Sequence, residues 1–248
     1  MHDRDVAVNL HGVTSVLLPG TGSDDEFVRR AFATALRAVG AVVVTPRPQP
    51  HRLVDGYRDD LDRAARAAHP LPIAVGGVSI GAAVAAAWAL SHPGHVVAVL
   101  AALPAWTGAP DGAPAALAAR YSAELLRRDG LISATAQMQA SSPAWLATEL
   151  TRSWARQWPS LPEAMDEASR YVGPTIADLE GLTVPMGVVS ATDDPVHPVE
   201  VGIEWAAAVA RASLRTVTLD QIGTNPAILG AQCLAALSDA EGPARATR

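Results

Sequence analysis

Short apolar runs alternate with longer segments of helical periodicity along most of the chain. Runs rich in Val, Leu and Ala, bounded by Gly, Pro or polar residues, predict buried strands. Six such strands are predicted, over residues 13–18, 41–45, 72–76, 96–100, 184–190 and 214–219. Helical spacing of apolar residues predicts helices between them, over 26–39, 53–68, 80–91, 199–210 and 227–237. This alternation predicts an α/β fold with a mostly parallel central sheet and helices on both of its faces.

The pattern changes between residues 104 and 182. Pro and Gly cluster at the start of this segment, and helices without intervening strands are predicted to begin near Pro114, Leu131, Pro143 and Leu161. Four of the six tryptophans of the chain lie here, namely Trp106, Trp145, Trp154 and Trp158. We interpret 104–182 as a helical lid over the carboxyl edge of the sheet, and 1–103 with 183–248 as the core domain.

Composition and charge exclude several classes of function. The 248 residues carry a formal net charge of −6 with no basic patch, which argues against nucleic acid or a membrane surface as partner. No lysine occurs, so Schiff-base and lysine-base mechanisms are excluded. The start of the chain lacks a signal-peptide pattern, and the longest apolar stretch is too short to span a membrane. We expect a cytoplasmic protein that acts on a small molecule. Its oligomeric state stays open, with a homodimer as one alternative.

We expect neither a cofactor nor a metal. The single cysteine, Cys233, lies in an apolar helical pattern and is interpreted as a buried structural thiol. The histidines lack the spacing of the H-E-x-x-H zinc motif, and neither of the common glycine-rich phosphate-binding motifs occurs.

The segment Gly77-Val-Ser-Ile-Gly81 matches the G-x-S-x-G pattern. It follows a predicted strand and opens a predicted helix, and this junction exposes a serine as a nucleophile on a tight turn. The glycines would allow the helix and the strand to pack closely. The alternative is a strand–helix turn with an incidental serine. We interpret Ser79 as the candidate nucleophile.

Two more turns follow predicted strands. In Pro19-Gly-Thr-Gly22, the backbone N–H of Thr21 could bind a developing oxyanion together with the N–H of Ile80. The alternative reading is a glycine turn leading into a capping box at Ser23-Asp-Asp-Glu26, and both can hold. In Asp193-Asp-Pro-Val-His-Pro198, we interpret Asp194 as a carboxylate that orients a histidine. The alternative is a polar turn at the strand end, begun by Asp-Pro.

The order of these features resembles the α/β-hydrolase superfamily of esterases, thioesterases and related enzymes, over nearly the whole chain. The resemblance implies an α/β-hydrolase fold with a lid. It implies Ser79 as nucleophile, Asp194 as the acid, and the N–H groups of Thr21 and Ile80 as the oxyanion hole. One departure is Pro19-Gly20, where members of the superfamily often carry His-Gly.

A second departure concerns the general base, which in the superfamily is a histidine just after the last strand. Thr224 stands at that position here, and no histidine follows His197. His197, on the acid loop, is the candidate substitute. We expect the other histidines to lie at the amino edge of the sheet or in surface turns, the first group being His11, His92 and His95 and the second His2, His51 and His69.

The resemblance implies a serine hydrolase that acts on an ester or thioester of a small, largely apolar acyl compound, with an atypical or incomplete triad. The apolar preference rests on the lid tryptophans, which we expect mostly to form the lid's own core. Two other classes stay open: a catalytically degenerate ligand-binding protein, and a lyase or cofactor-free oxygenase in which Ser79 only holds substrate. Thr224 favours a degenerate protein, whereas the intact elbow and Asp194 favour an enzyme.

Overall fold

The computed structural model describes residues 8–241. Its central sheet has six strands in the order β2-β1-β3-β4-β5-β6, and all neighbouring strands are parallel. The strands are β1 (Thr14–Leu18), β2 (Val42–Val44), β3 (Ile73–Val78), β4 (Val96–Ala102), β5 (Met186–Ala191) and β6 (Ala212–Val217). Each predicted strand is therefore present, with ends that lie within two residues of the predicted ones.

Helices connect the strands. They are α1 (Asp25–Ala38), α2 (Leu53–Ala68), α3 (Ile80–Ser91), α4 (Pro114–Ser141), α5 (Ala144–Gln157), α6 (Leu161–Ser169), α7 (Ile176–Glu180), α8 (Val199–Ala208), α9 (Leu219–Thr224) and α10 (Ile228–Ala240), with a short 3₁₀ turn at Pro50–Arg52. None of the helices within residues 8–241 combines the length and apolar composition needed to cross a membrane.

The two faces of the sheet form separate apolar cores. Helices α2, α3 and α8 cover one face, where Tyr57 and Trp205 are fully buried. Helices α1 and α10 cover the other, around Phe32 and Cys233. Burial of the Cys233 side chain raises the pKa of its thiol far above the ordinary value, as expected for a structural cysteine. These two cores fix the strand ends that carry the candidate site.

Residues 104–182, here called the lid segment, contain four helices and no strand. Helix α4 is interrupted at Gly130, which has a positive φ of 75°, so the predicted helix start at Leu131 corresponds to a real break. The lid segment has its own apolar cluster, in which Trp154 packs with residues of α4 and α6. Trp106 is also buried in a small lid cluster, whereas Trp158 is 39% exposed.

The lid segment also completes an element of the core domain. The N-cap residue of α2, Arg52, makes no capping hydrogen bond with its side chain. The carboxylate of Glu167, in α6, instead accepts hydrogen bonds from the N–H groups of Leu53 and Val54, at 2.7 and 3.0 Å. A carboxylate at this end of a helix also interacts favourably with the helix dipole. The lid segment is thus bonded to the core next to α2.

Two local expectations were wrong. The N-cap residue of α1 is Asp24 rather than Ser23, because the Asp24 carboxylate accepts the N–H of Phe27 at 3.0 Å. The segment after the last strand, which contains Thr224, was expected to be a loop but forms the short helix α9. It begins after Thr218, whose side chain forms a capping box with Gln221. This capping box starts a helix in the segment where the superfamily histidine was expected.

Candidate active site

Ser79 lies on the turn between β3 and α3, with a φ of 56° and a ψ of −120°. A non-glycine residue in such a conformation is strained by roughly 1–3 kcal/mol and persists only where the surroundings enforce it. The Ser79 N–H donates to the carbonyl of Ala102 in β4 at 2.9 Å, and the Ser79 carbonyl accepts the N–H of Ala83 in α3 at 3.1 Å. These bonds hold the turn at both of its ends.

The elbow glycines are required by a close approach to β1. A Cβ on either Gly77 or Gly81 would overlap the carbonyl oxygen of Leu18. The backbone of β1 therefore passes directly against the elbow, and any side chain at these positions would push the strand away. This is the close helix–strand packing that the G-x-S-x-G pattern predicts.

A histidine stands beside the serine. The Nε2 atom of His197 lies 3.0 Å from the Oγ of Ser79, although 118 residues separate the two in the sequence. The Nδ1 atom of the same ring lies 2.8 Å from the Oδ2 of Asp194. Ser79 is 6% exposed and the His197 side chain 18%, so the line is mostly buried but open at the imidazole.

Asp194 is held as an anion by several donors. Its Oδ1 accepts the backbone N–H groups of Val196 and His197 at 2.8 and 3.2 Å, while its Oδ2 faces the imidazole. Burial alone would raise the pKa of Asp194, but the hydrogen bond and charge of His197 and the two backbone N–H groups outweigh it. The pKa of Asp194 is therefore lowered below its ordinary value of 3.8.

The acid and the imidazole come from a single turn after β5. Asp194 and His197 are three residues apart, and the backbone bonds to Asp194 Oδ1 fold the intervening Pro195-Val196 back on the carboxylate. The neighbouring Asp193 is exposed and accepts the N–H of Leu219, at 2.8 Å, so it joins this turn to α9. The sequence preference for Asp194 over Asp193 agrees with this division of contacts.

Thr224 takes no part in this arrangement. It is exposed at the end of α9, and the ring of Trp145 packs directly against the preceding Gly223. Of the two positions considered for a base, Thr224 and His197, it is His197 that lies beside the Ser79 Oγ.

The other histidines within residues 8–241 lie away from Ser79. His11 packs on Gly40 before β1. His92 and His95 lie between the end of α3 and the start of β4, where the carbonyl of His95 accepts the N–H of Ile73. His51 and His69 are exposed, as expected, and His2 lies outside the described residues. Among those residues no group of three or more His, Cys, Asp or Glu side chains could hold a metal ion.

The turn after β1 reaches the nucleophile. A Cβ on Gly20 would lie 3.4 Å from the Cβ of Ser79, so this backbone passes next to the serine. Within the described part of the chain, neither the N–H of Thr21 nor that of Ile80 donates to a protein acceptor. These two N–H groups are the candidate oxyanion donors.

This turn is anchored by residues that the sequence did not single out. The hydroxyl of Tyr57 in α2 donates to the carbonyl of Pro19 at 3.1 Å, and the hydroxyl of Ser153 in α5 donates to the carbonyl of Gly22 at 2.6 Å. Sequence patterns contain no signal for such pairs, because the partners lie 38 and 131 residues apart.

Replacing Tyr57 with Phe is expected to destabilise the fold by about 1–3 kcal/mol, because the buried Pro19 carbonyl loses its donor. Urea unfolding of the variant and the wild type measures this difference. Tyr121→Phe is the matched control, since Tyr121 is exposed and should show no change. Equal stability of Tyr57→Phe and wild type would contradict the hydrogen bond.

The sequence matches no protein-family model and no curated protein. Its fold, however, is similar to many solved structures. A bromoperoxidase from Bacillus anthracis superposes with a TM-score of 0.69 at 15% identity, covering 92% of each chain. An enol-lactonase from Burkholderia xenovorans gives 0.63 at 17% identity, covering 85% of this chain and 84% of the other.

A thermophilic esterase from Thermogutta terrifontis gives a TM-score of 0.61 at 18% identity, covering 84% of this chain and 82% of the other. At such identities a structural likeness speaks for the fold alone. The chain has the α/β-hydrolase fold.

Proposed function

We propose that the protein is a serine hydrolase that cleaves an ester or thioester of a small, largely apolar acyl compound. Ser79 is the nucleophile, His197 the general base and Asp194 the residue that orients it. The observation that carries this proposal is the continuous hydrogen-bonded line from Ser79 through His197 to Asp194, with distances of 3.0 and 2.8 Å. A serine hydroxyl becomes an effective nucleophile when such a base can take its proton.

We assign the proton positions from this geometry. Asp194 is ionised at neutral pH because its pKa is lowered, so it accepts a hydrogen bond from Nδ1–H of His197. The neutral imidazole then has its lone pair on Nε2, which faces the Ser79 hydroxyl. The carboxylate thus selects the ring tautomer that can act as a base.

The reaction follows from these positions. As the Ser79 Oγ bonds to the acyl carbon, its proton moves to His197 Nε2, and the carbonyl electrons move to the oxygen. The resulting oxyanion is bound by the N–H groups of Thr21 and Ile80. When the oxyanion collapses, the bond to the alcohol or thiol breaks and the leaving group takes the proton from His197. Water repeats the sequence on the acyl-enzyme and releases the acid with a regenerated Ser79.

The preference for an apolar acyl group is inferred from the tryptophans of the lid segment. Trp106 and Trp154 are buried within clusters of the lid segment, so they do not support an apolar substrate. Trp145 differs, because it packs against the core domain at Phe27 and Gly223. Its contacts are therefore also with protein, and the preference for an apolar acyl group rests on the sequence expectation.

A fluorophosphonate probe tests the proposal directly. We expect one covalent label per chain in the wild type, located on Ser79 by mass spectrometry, and hydrolysis of short p-nitrophenyl esters. Ser79→Ala should lose both, whereas the control Ser91→Ala, at the end of α3, should keep both. A wild type that is neither labelled nor active would sink the proposal and favour the ligand-binding alternative.

A further inference from the structure

The polar face of α5 is bonded to the turn that follows β1, residues 19–24, which we call the oxyanion loop. The Ser153 hydroxyl donates to the carbonyl of Gly22 at 2.6 Å. The Nε2 of Gln157 donates to the carbonyl of Ser23 at 2.9 Å and to the Ser153 Oγ at 2.8 Å. Ser153 is 1% exposed and Gln157 8%, so these bonds form away from water.

Ser153 directs its hydroxyl away from its own helix. A helical serine can donate to a carbonyl of the preceding turn, as Thr148 and Thr151 do in α5, at 2.9 and 2.7 Å. Ser153 instead donates to Gly22, while accepting from Gln157. The bond therefore serves the contact between α5 and the loop rather than the helix.

These bonds reach the N–H of Thr21 through linked peptide planes. The Gly22–Ser23 peptide is held at its carbonyl by Ser153, and its N–H donates to the carbonyl of Gly20 at 3.0 Å. That carbonyl belongs to the same rigid peptide plane as the N–H of Thr21. The Ser153 bond is therefore linked to the Thr21 N–H through these peptide planes.

Charge and shape hold the same contact. Asp24 is buried, and the Arg152 guanidinium donates to both of its carboxylate oxygens, at 2.8 and 3.2 Å. Gly22 has a positive φ of 70°, and a Cβ there would lie 2.9 Å from the indole nitrogen of Trp154. The backbone of the loop thus lies directly under α5, where both side-chain bonds can form.

We propose that Ser153 and Gln157 are positioning residues of the oxyanion hole. They act through the Gly22 and Ser23 carbonyls to aim the Thr21 N–H at the substrate oxygen. The inference rests on the proposed function, because it assigns these residues to the same reaction. It also makes the lid segment part of the catalytic apparatus, since a displaced α5 would release the oxyanion loop.

Steady-state kinetics on p-nitrophenyl esters test the inference with Ser153→Ala and Gln157→Leu. Removal of one entire oxyanion donor typically lowers kcat by roughly 10²–10³-fold, and a misdirected donor should cost about tenfold or more. KM should stay within about twofold and the pH profile should keep its shape, because His197 and Asp194 are untouched. Thr148→Ala, on the exposed side of the same helix, is the control and should match the wild type.

Backbone hydrogen exchange of the peptide spanning residues 19–24 provides the second readout, which needs no activity. Both variants should exchange this peptide faster than the wild type, with intact circular dichroism. An active wild type whose variants keep kcat would overturn the positioning inference and leave the hydrolase proposal standing. Unchanged exchange would also overturn it. An inactive, unlabelled wild type would instead refute the hydrolase proposal, while exchange would still decide whether α5 holds the loop.

Discussion

Replacing His197 with Ala is expected to lower kcat for p-nitrophenyl esters by roughly 10⁴–10⁶-fold, the range observed when a triad histidine is removed from other serine hydrolases. The reason is that Nε2 of His197, which lies 3.0 Å from Ser79 Oγ, is the proposed base. Without it, the proton of Ser79 has no acceptor during attack, and fluorophosphonate labelling should be lost as well.

The matched control is His92→Ala. His92 stacks on Trp88 with ring centroids 4.2 Å apart, near the amino edge of the sheet, so its removal should leave kcat unchanged. Thr224→His is a second control. Because His197 already occupies the position beside Ser79, a histidine at the exposed end of α9 should not raise the rate. A His197→Ala variant that keeps more than about one hundredth of the activity would refute the assigned base.

The position of the imidazole changes how the site is built. With acid and base on one turn, their relative geometry is set by local bonds, namely the two backbone N–H groups that close on Asp194 Oδ1. Under the proposed assignment, the segment after β6 has no catalytic role. It folds as α9, with Gly223 packed under Trp145, a contact that joins the lid segment to the core.

The sequence predicted the four inner strands, β1, β3, β4 and β5, because they are largely buried and read as near-continuous apolar runs. The edge strands β2 and β6 are partly exposed. The sequence predicted Ser79 because the elbow needs glycines on both sides, and these abut Leu18. It also identified Asp194 and His197 as residues of one loop. Whether that loop turns back toward Ser79 depends on contacts between β3, β4 and β5, which no local pattern contains.

The sequence did not predict the contacts of the lid segment for the same reason. Ser153 and Gln157 look like ordinary polar residues of an amphipathic helix, and their partners are backbone carbonyls, which every residue has. Capping was misjudged in a related way. Both Ser23 and Asp24 are suitable capping residues, and Asp24 is chosen because Arg152 in α5 also binds its carboxylate.

Asp194→Asn is the second change with a large expected effect, a fall in kcat of roughly 10²–10⁴-fold. The asparagine amide would donate to Nδ1 of His197, which places the ring proton on Nε2. That tautomer cannot accept the proton of Ser79, although the shape of the site is kept. Asp193→Asn is the control, because Asp193 contacts Leu219 and not the imidazole, and its kcat should equal that of the wild type.

The wild type and Asp194→Asn also differ in how their stability depends on pH. Because the pKa of Asp194 is below 3.8 in the folded protein, its carboxylate stabilises the fold fully at pH values above the unfolded pKa. This contribution is lost as the pH falls through the folded pKa. The difference in free energy of unfolding between wild type and Asp194→Asn should therefore be present above about pH 5 and shrink in more acidic solution. Urea unfolding at each pH measures it, and a difference that persists or grows in acid would mean that Asp194 is not held as the anion that orients His197.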